Sequence, residues 1–301
     1  MKTKKALAKE KKYDEKVDLR NLLPLKIVRA ASQLRPRLII VENVPAMSTQ
    51  IVSYDGVEER IVTALKRELE ETGYNVSDPF VLEASNLGIS QIRKRTFLVA
   101  SLYSNIQASE IQTIQDQVSK GNAKPSLKST IGDLVNTPTV SPKMYRESVF
   151  PDHVARKPND DDLQIIKNLK QGENYYSLLD RFPQVVYARK HKVYKTSSFR
   201  DKFYRLKWEG PSKTIVAHLQ KDGNSFIHPL LDRSISVREA ARIQSFRDSF
   251  VFDVPMVPAF RLIGNAVPPI MGKFLIETTA RIDGLLNERY SSNSQFASFV
   301  V

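Results

Sequence analysis

The sequence predicts an α/β fold in which a layered sheet is interrupted by a long insertion. Three features carry this. Apolar runs of strand length alternate with stretches of helical periodicity between residues 24 and 102. Regularity lapses over 105–232, where short β-like runs mix with polar and proline-containing loops. Helical patterning returns from 236, as it would if the chain re-entered one layered domain.

Taken in order, residues 1–17 hold seven lysines and few apolar side chains, the pattern of a basic flexible arm. A helix is predicted over 24–35, with Leu25, Val28 and Ala31 on one side. Pro36 ends it, and the apolar run 38–41 follows as a strand. Ile61, Leu65 and Leu69 recur every four residues and predict a helix over 57–72, stopped at Gly73. Strands are predicted at 80–82 and 96–102, with parallel pairing for at least the first pair. Beyond the insertion, Ser236 and Glu239 have capping-box spacing and open a helix that buries Ala240 and Ile243. Pro268 and Pro269 start a last helix, to about Leu286, with Ile270, Phe274, Thr278 and Ile282 on one side. The expected division is therefore an arm (1–17), a catalytic α/β part (18–104), an inserted region (105–232), a return to the first part (233–290) and a frayed tail (291–301).

Composition narrows the function. The formal charge of +13 points to a polyanionic partner, most simply nucleic acid. The chain has no cysteine, which excludes disulfides, thiolate metal sites and a thiol nucleophile of its own. Four histidines (His153, His191, His218, His228) lack metal-ligand spacing, so no metal is assigned. No apolar run has membrane-spanning length and the lysine-rich start has no apolar signal segment, so a cytoplasmic protein is expected.

Four stretches can carry chemistry. In RLIIVENVPAM (37–47), Glu42 and Asn43 directly follow a core-like strand, the position where open sheets place functional groups. Partial burial there would raise the glutamate pKa and let it donate a proton near neutrality; the plainer alternative is a capping or solvated acid. In GISQIRKRTFLVAS (88–101), Gln91, Arg93 and Arg95 alternate, so an extended backbone turns all three to one face. Two guanidiniums there can hold a phosphate or a carbonyl oxygen, or can merely charge a sheet edge. Between Arg189 and Trp208, eight cations, among them Lys192, Lys195, Arg200 and Arg205, stand against Asp201 alone and are interleaved with aromatics, a nucleic-acid-binding pattern. In RLIGNAVPPIMG (261–272), Gly264-Asn265 suits a tight turn before the last helix.

Together and in this order, these segments resemble the DNA cytosine-5 methyltransferases. The resemblance runs through D-x-R-N (18–21), E-N-V (42–44), Q-x-R-x-R (91–95), RLKWEGPSKTI (205–215), RSISVREAARIQSF (233–246) and GNAVPP (264–269). It implies an incomplete Rossmann-like methyltransferase sheet with an inserted, mostly irregular or β target-recognition domain. It also implies transfer of a methyl group from S-adenosylmethionine to C5 of a cytosine flipped out of double-stranded DNA, after a cysteine attacks C6. By resemblance Glu42 donates to N3 and Arg95 holds O2, with Arg93 close by and Asn43 positioning Glu42. Asn265 and Ala266 close one side of the cofactor pocket and Leu23 approaches the adenine. Arg233 and Arg238 brace the recognition region or contact DNA, and Gln91 shares that DNA-facing role. The carboxyl ends of two adjacent strands are expected to bring the acid and the guanidiniums together.

The family's glycine-rich cofactor loop and Pro-Cys-Gln nucleophile loop precede the D-x-R-N segment, where these 301 residues have only the lysine-rich arm. Arg247 stands where the family commonly has proline. The expectation is a split enzyme, inactive alone, whose second polypeptide carries those loops, with the strand 38–41 left as an unpaired edge. A non-catalytic DNA-binding or regulatory homologue, or the product of a truncated gene, are the alternatives. The recognised DNA sequence is not legible.

Overall fold

The computed structural model describes residues 19–121, 125–187 and 202–285, and they form two compact units. The basic arm, the frayed tail and the cations Lys192, Lys195 and Arg200 lie outside the described residues. The first unit comprises the described parts of residues 1–82, 94–114 and 276–293, and the second those of 83–93 and 115–275. Residues 233–275 thus fall with the insertion, and the return to the first unit begins only at Ile276.

In the first unit a 3-10 turn (Leu19–Leu25) leads into helix α1 (Lys26–Leu34), which ends on Arg35 in the left-handed conformation. Strand β1 (Leu38–Asn43) follows. A hairpin of β2 (Ile51–Tyr54) and β3 (Val57–Arg60) comes next, and only then helix α2 (Ile61–Glu71). The helix expected from 57 therefore starts four residues late. Asp55 and Gly56 both have positive φ (51° and 75°), which closes a two-residue hairpin and pulls 57–60 into a strand. Ile61, Leu65 and Leu69 are buried as their spacing requires.

Strands β4 (Asn75–Val76) and β5 (Phe80–Glu83) come next. After β6 (Gln91–Ile92) in the second unit, β7 (Lys94–Ser101) completes the main sheet. β7 is buried on both faces over its last six residues, as a central strand should be, and pairs with β1, β4 and β5. The expected parallel pairing of the first two strands is corrected: β1 and β5 each pair with β7 and not with each other, and β7 is antiparallel to both β1 and β4. β1 has β7 as its strand neighbour and no second one among the described residues, which makes it an edge. Leu25, Ile39, Val41, Leu65, Leu98 and Ala100 belong to the core beneath. Arg37 ties the far end of β1 to Asp283 at 2.5 Å, and Asp283 also accepts from Ser101.

Helix α3 (Ala108–Gly121) leads out of the first unit. The described part of the second unit joins irregular segments by short helices, more helical than the irregular or β insertion expected: α4 (Leu127–Ile131), α5 (Asp160–Asn168), α6 (Tyr175–Arg181) and α7 (Pro183–Tyr187). Among its described residues the β content is the two-residue pair of β6 with β8 (Ser212–Lys213) and three isolated bridges. Helix α8 (Val237–Ile243) begins with the anticipated reciprocal cap between Ser236 and Glu239. Helices α9 (Met256–Asn265) and α10 (Pro269–Ile282) close the chain. Ile215, Leu219, Ala240, Ile243, Phe260 and Ile263 form the middle of this core. No helix among the described residues is long and apolar enough to cross a membrane.

Candidate functional site

Because β1 and β7 are antiparallel, the end of one strand lies beside the start of the other, not beside its end as expected. Glu42 stands opposite Phe97, and Asn43 opposite Thr96. Arg95, two residues before Phe97, shares a sheet face with Glu42 as its diagonal neighbour, within reach of a long side chain. Arg95 Nε lies 2.8 Å from Glu42 Oε1, with the two side chains 12% and 28% exposed. Arg95 Nη1 also donates to the Lys94 carbonyl at 2.8 Å. Burial pushes the Arg95 guanidinium below its ordinary pKa, and the charge and hydrogen bond of Glu42 work against that. The acid is half-buried, as expected at a strand end, and it is paired with one guanidinium.

Asn43 Oδ1 accepts from the backbone N–H of Val44 at 2.8 Å, fastening the turn that leaves the strand. Glu42 and Asn43 line a cleft of about 560 Å³ whose apolar wall includes Leu23, Pro24, Ile27 and Met47. That volume is within the roughly 300–1,000 Å³ of ligand pockets. Leu23 is 58% exposed, a large apolar side chain offered to whatever enters. The first unit thus brings together Leu23, Glu42, Asn43 and Arg95.

Several other candidates have different places. Alternation does put Gln91 and Arg93 on one side of the chain, but that side is buried in the second unit. Arg93 donates to the carbonyls of Ile215 (2.7 Å), Gly264 (3.2 Å) and Ala266 (3.0 Å). Gln91 donates to Gln244 and accepts from the Ile215 N–H. Neither is placed to touch a base, so the substrate-side position of Arg93 and the DNA-facing position of Gln91 are corrected. The DNA contact expected of Arg205 is corrected likewise. Its guanidinium is buried against the Ile166 and His228 carbonyls and Asp232. Arg238 is fully buried between Asp152 (2.9 Å) and the Pro151, Arg247 and Phe250 carbonyls, which leaves bracing, not DNA contact. Arg233 forms a two-pronged pair with Glu239, each contact 2.7 Å, and also braces. Asn265 is exposed and Ala266 half-buried at the end of α9. Gln244, which donates to the Ile263 and Ala266 carbonyls, is a buried polar residue that pattern reading missed. Its one local signal was an amide directly after the capped helix 237–243.

The same network makes a pH prediction. His228 is fully buried, and its Nδ1 accepts from the N–H groups of Leu230 and Leu231, both at 3.0 Å. Protonating Nδ1 would set three donors against one another. Burial, with Arg233 and Arg205 nearby, lowers its pKa from 6.5 to about 4, against the opposing charge of Glu239. The folded pKa lies below the unfolded one, so the unfolded chain takes up the proton first. The stabilisation is present above pH 6.5 and is lost as pH falls towards 4. At about 1.4 kcal/mol per pKa unit, this ring alone accounts for roughly 3 kcal/mol. Urea midpoints at pH 7 and pH 4.5 should differ less in His228→Gln than in the parent chain; an equal difference would exclude His228 as the source.

Comparison with known proteins places the chain in a family. The family model described as C-5 cytosine-specific DNA methylase matches residues 9–281. The type II methyltransferase M.AgeI of Thalassovita gelatinovora is 49% identical over 83 residues, 28% of this chain and 19% of that protein. M.Bpa9945I of Bacillus paralicheniformis, also a type II methyltransferase, is 28% identical over 84% of this chain and 62% of its own length. The chain therefore spans under two thirds of both relatives. A crystal structure described as a DNA modification methyltransferase encoded within an E. coli prophage shares the fold. Its TM-score is 0.61 at 22% identity, covering 88% of this chain and 75% of that one. Since the family match takes in both strands that carry the Glu42–Arg95 pair and the helix end at Asn265, the chain belongs to the C-5 cytosine-specific DNA methylases.

Proposed function

We propose that this chain supplies the pyrimidine-polarising and target-recognising part of a DNA cytosine-5 methyltransferase. The sulfur nucleophile comes from outside these 301 residues, which hold no cysteine. The observation that carries the reading is the Glu42–Arg95 pair at adjoining strand ends, with Glu42 on the rim of the cleft beside Leu23. Addition of a thiolate at C6 of cytosine drives negative charge towards N3 and O2. As Arg95 moves its donors from the carboxylate to O2, Glu42 takes up a proton from solvent and shares it with N3 while that charge develops. Asn43 keeps the adjoining turn in place, so the acid does not swing away.

Charged donors aimed at developing charge in a water-poor site are worth about 3 kcal/mol each. The apolar wall of Leu23, Pro24 and Ile27 fits the adenine of S-adenosylmethionine, and by resemblance Asn265 and Ala266 are proposed as further cofactor contacts. When bound, S-adenosylmethionine supplies an electrophilic methyl group. The charge of +13 and the basic, aromatic stretch around 189–208 favour the DNA backbone, and Lys192, Lys195 and Arg200 are its proposed contacts. That the relatives are named as type II methyltransferases supports a place for this chain in a restriction–modification system.

The absence of cysteine makes the reading testable. Labelled methyl transfer to DNA should be undetectable with the purified chain and should appear when a polypeptide bearing the Pro-Cys-Gln loop is added. Transfer by the chain alone would refute the split arrangement. DNA binding without transfer in either mixture would favour the non-catalytic homologue.

A further inference from the structure

Three fully buried polar side chains converge on one short turn of the second unit. Arg93 holds the Gly264 and Ala266 carbonyls, Gln244 holds Ile263 and Ala266, and Gln91 holds Gln244 at 2.5 Å. Arg93 and Gln91 also both grip Ile215, through its carbonyl and its N–H. The turn is packed onto the same segment. A Cβ on Gly264 would lie 2.2 Å from Ala217 N and 2.3 Å from Val216 C. Residues 263–266 and 215–217 are therefore fixed to each other by hydrogen bonds and by contact. Burying a guanidinium costs several kcal/mol unless its donors are met. Three backbone carbonyls accept from its two terminal nitrogens here, so the guanidinium specifies a geometry that an apolar residue could not.

We infer that Arg93 is a positioning residue: with Gln91 and Gln244 it clamps the end of α9, so that Asn265 and Ala266 are presented rigidly to the methyl donor. This rests on the assignment of those two residues to the cofactor border. The clamp also fastens that border to the 215–217 segment, which lies within the inserted region 105–232. Arg93 then acts on binding, whereas Arg95 acts on the chemical step.

The test compares Arg93→Lys, Gln244→Leu and Arg95→Lys. In the isolated chain, hydrogen exchange of residues 263–268 should quicken about tenfold in the first two variants and stay unchanged in the third. In the chain combined with the cysteine-bearing polypeptide, Arg93→Lys should raise the KM for S-adenosylmethionine about tenfold with kcat within about threefold. Arg95→Lys should lower kcat with little change in that KM. If Arg93→Lys does not fold, Gln244→Leu carries both measurements. Unchanged exchange in both clamp variants, or a fall in kcat at constant KM for Arg93→Lys, would overturn the inference. If the parent mixture transfers no methyl group, the functional reading fails separately, and exchange still decides whether the clamp exists.

Discussion

Glu42→Gln is expected to slow methyl transfer about 10²–10³-fold while leaving the fold intact. Glutamine keeps the shape and can still donate an N–H to N3, but it cannot deliver a proton as charge builds on the ring. It also removes the anion that holds Arg95 at 2.8 Å. General acids contribute typically about 10²–10⁴-fold and preorganised donors about 10²–10³-fold, so losing the acid while keeping one neutral donor falls between. The residue is half-buried at an edge-strand terminus, where a neutral isostere changes stability by roughly 1 kcal/mol or less. Single-turnover rates and urea midpoints, measured on the same preparations, separate the two effects. A loss of activity matched by a loss of folding would remove Glu42 from the chemistry.

Gly264→Ala is expected to have the largest effect on stability, about 3 kcal/mol or more. Two contributions compete. Alanine favours a helical position by about 1 kcal/mol over glycine, and Gly264 lies in the last turn of α9 with no left-handed φ to protect. Against this, the new Cβ would sit 2.2–2.6 Å from three backbone atoms of Val216 and Ala217, which cannot rotate aside as a side chain could. Overpacking costs typically about 1–3 kcal/mol, and here relief would also stretch the Arg93 hydrogen bonds. The clash wins. With total stabilities of about 5–15 kcal/mol, the second unit should lose much of its cooperative transition, visible as a large drop in the urea midpoint. A neutral or stabilising substitution would show that the 215–217 segment gives way freely. The glycine is there for close approach and not for the tight turn that Gly264-Asn265 suggests from sequence.

What could be read from sequence was what local periodicity and spacing decide. Alternation placed Gln91 and Arg93 on one side, and the step from apolar run to Glu42 marked the strand end. Ser236 and Glu239 gave the cap of α8. The hairpin at Asp55-Gly56 was legible too, but the four-residue recurrence from Ile61 was carried back across it. Strand direction was not legible, because pairing of β1 with β7 is made across more than fifty residues. Nor was the burial of Arg93, Arg205 and Arg238. Arginine is an exposed type by default, and what overrides that here is a set of backbone carbonyls, in Arg93's case 122–173 residues away. An alternating strand tells which side a guanidinium takes and not whether that side meets solvent. For the same reason Arg95, two residues further on and one unit over, kept the exposure needed for chemistry while Arg93 did not.

The most direct test of the account is a double-mutant cycle on Glu42 and Arg95, read as the rate of methyl transfer in the reconstituted mixture. If the two groups polarise one pyrimidine as a unit, Glu42→Gln and Arg95→Gln should each cost about 10²–10³-fold, and the double variant little more than the worse single one. Losses that multiply, or an Arg95→Gln variant as fast as the parent, would contradict it.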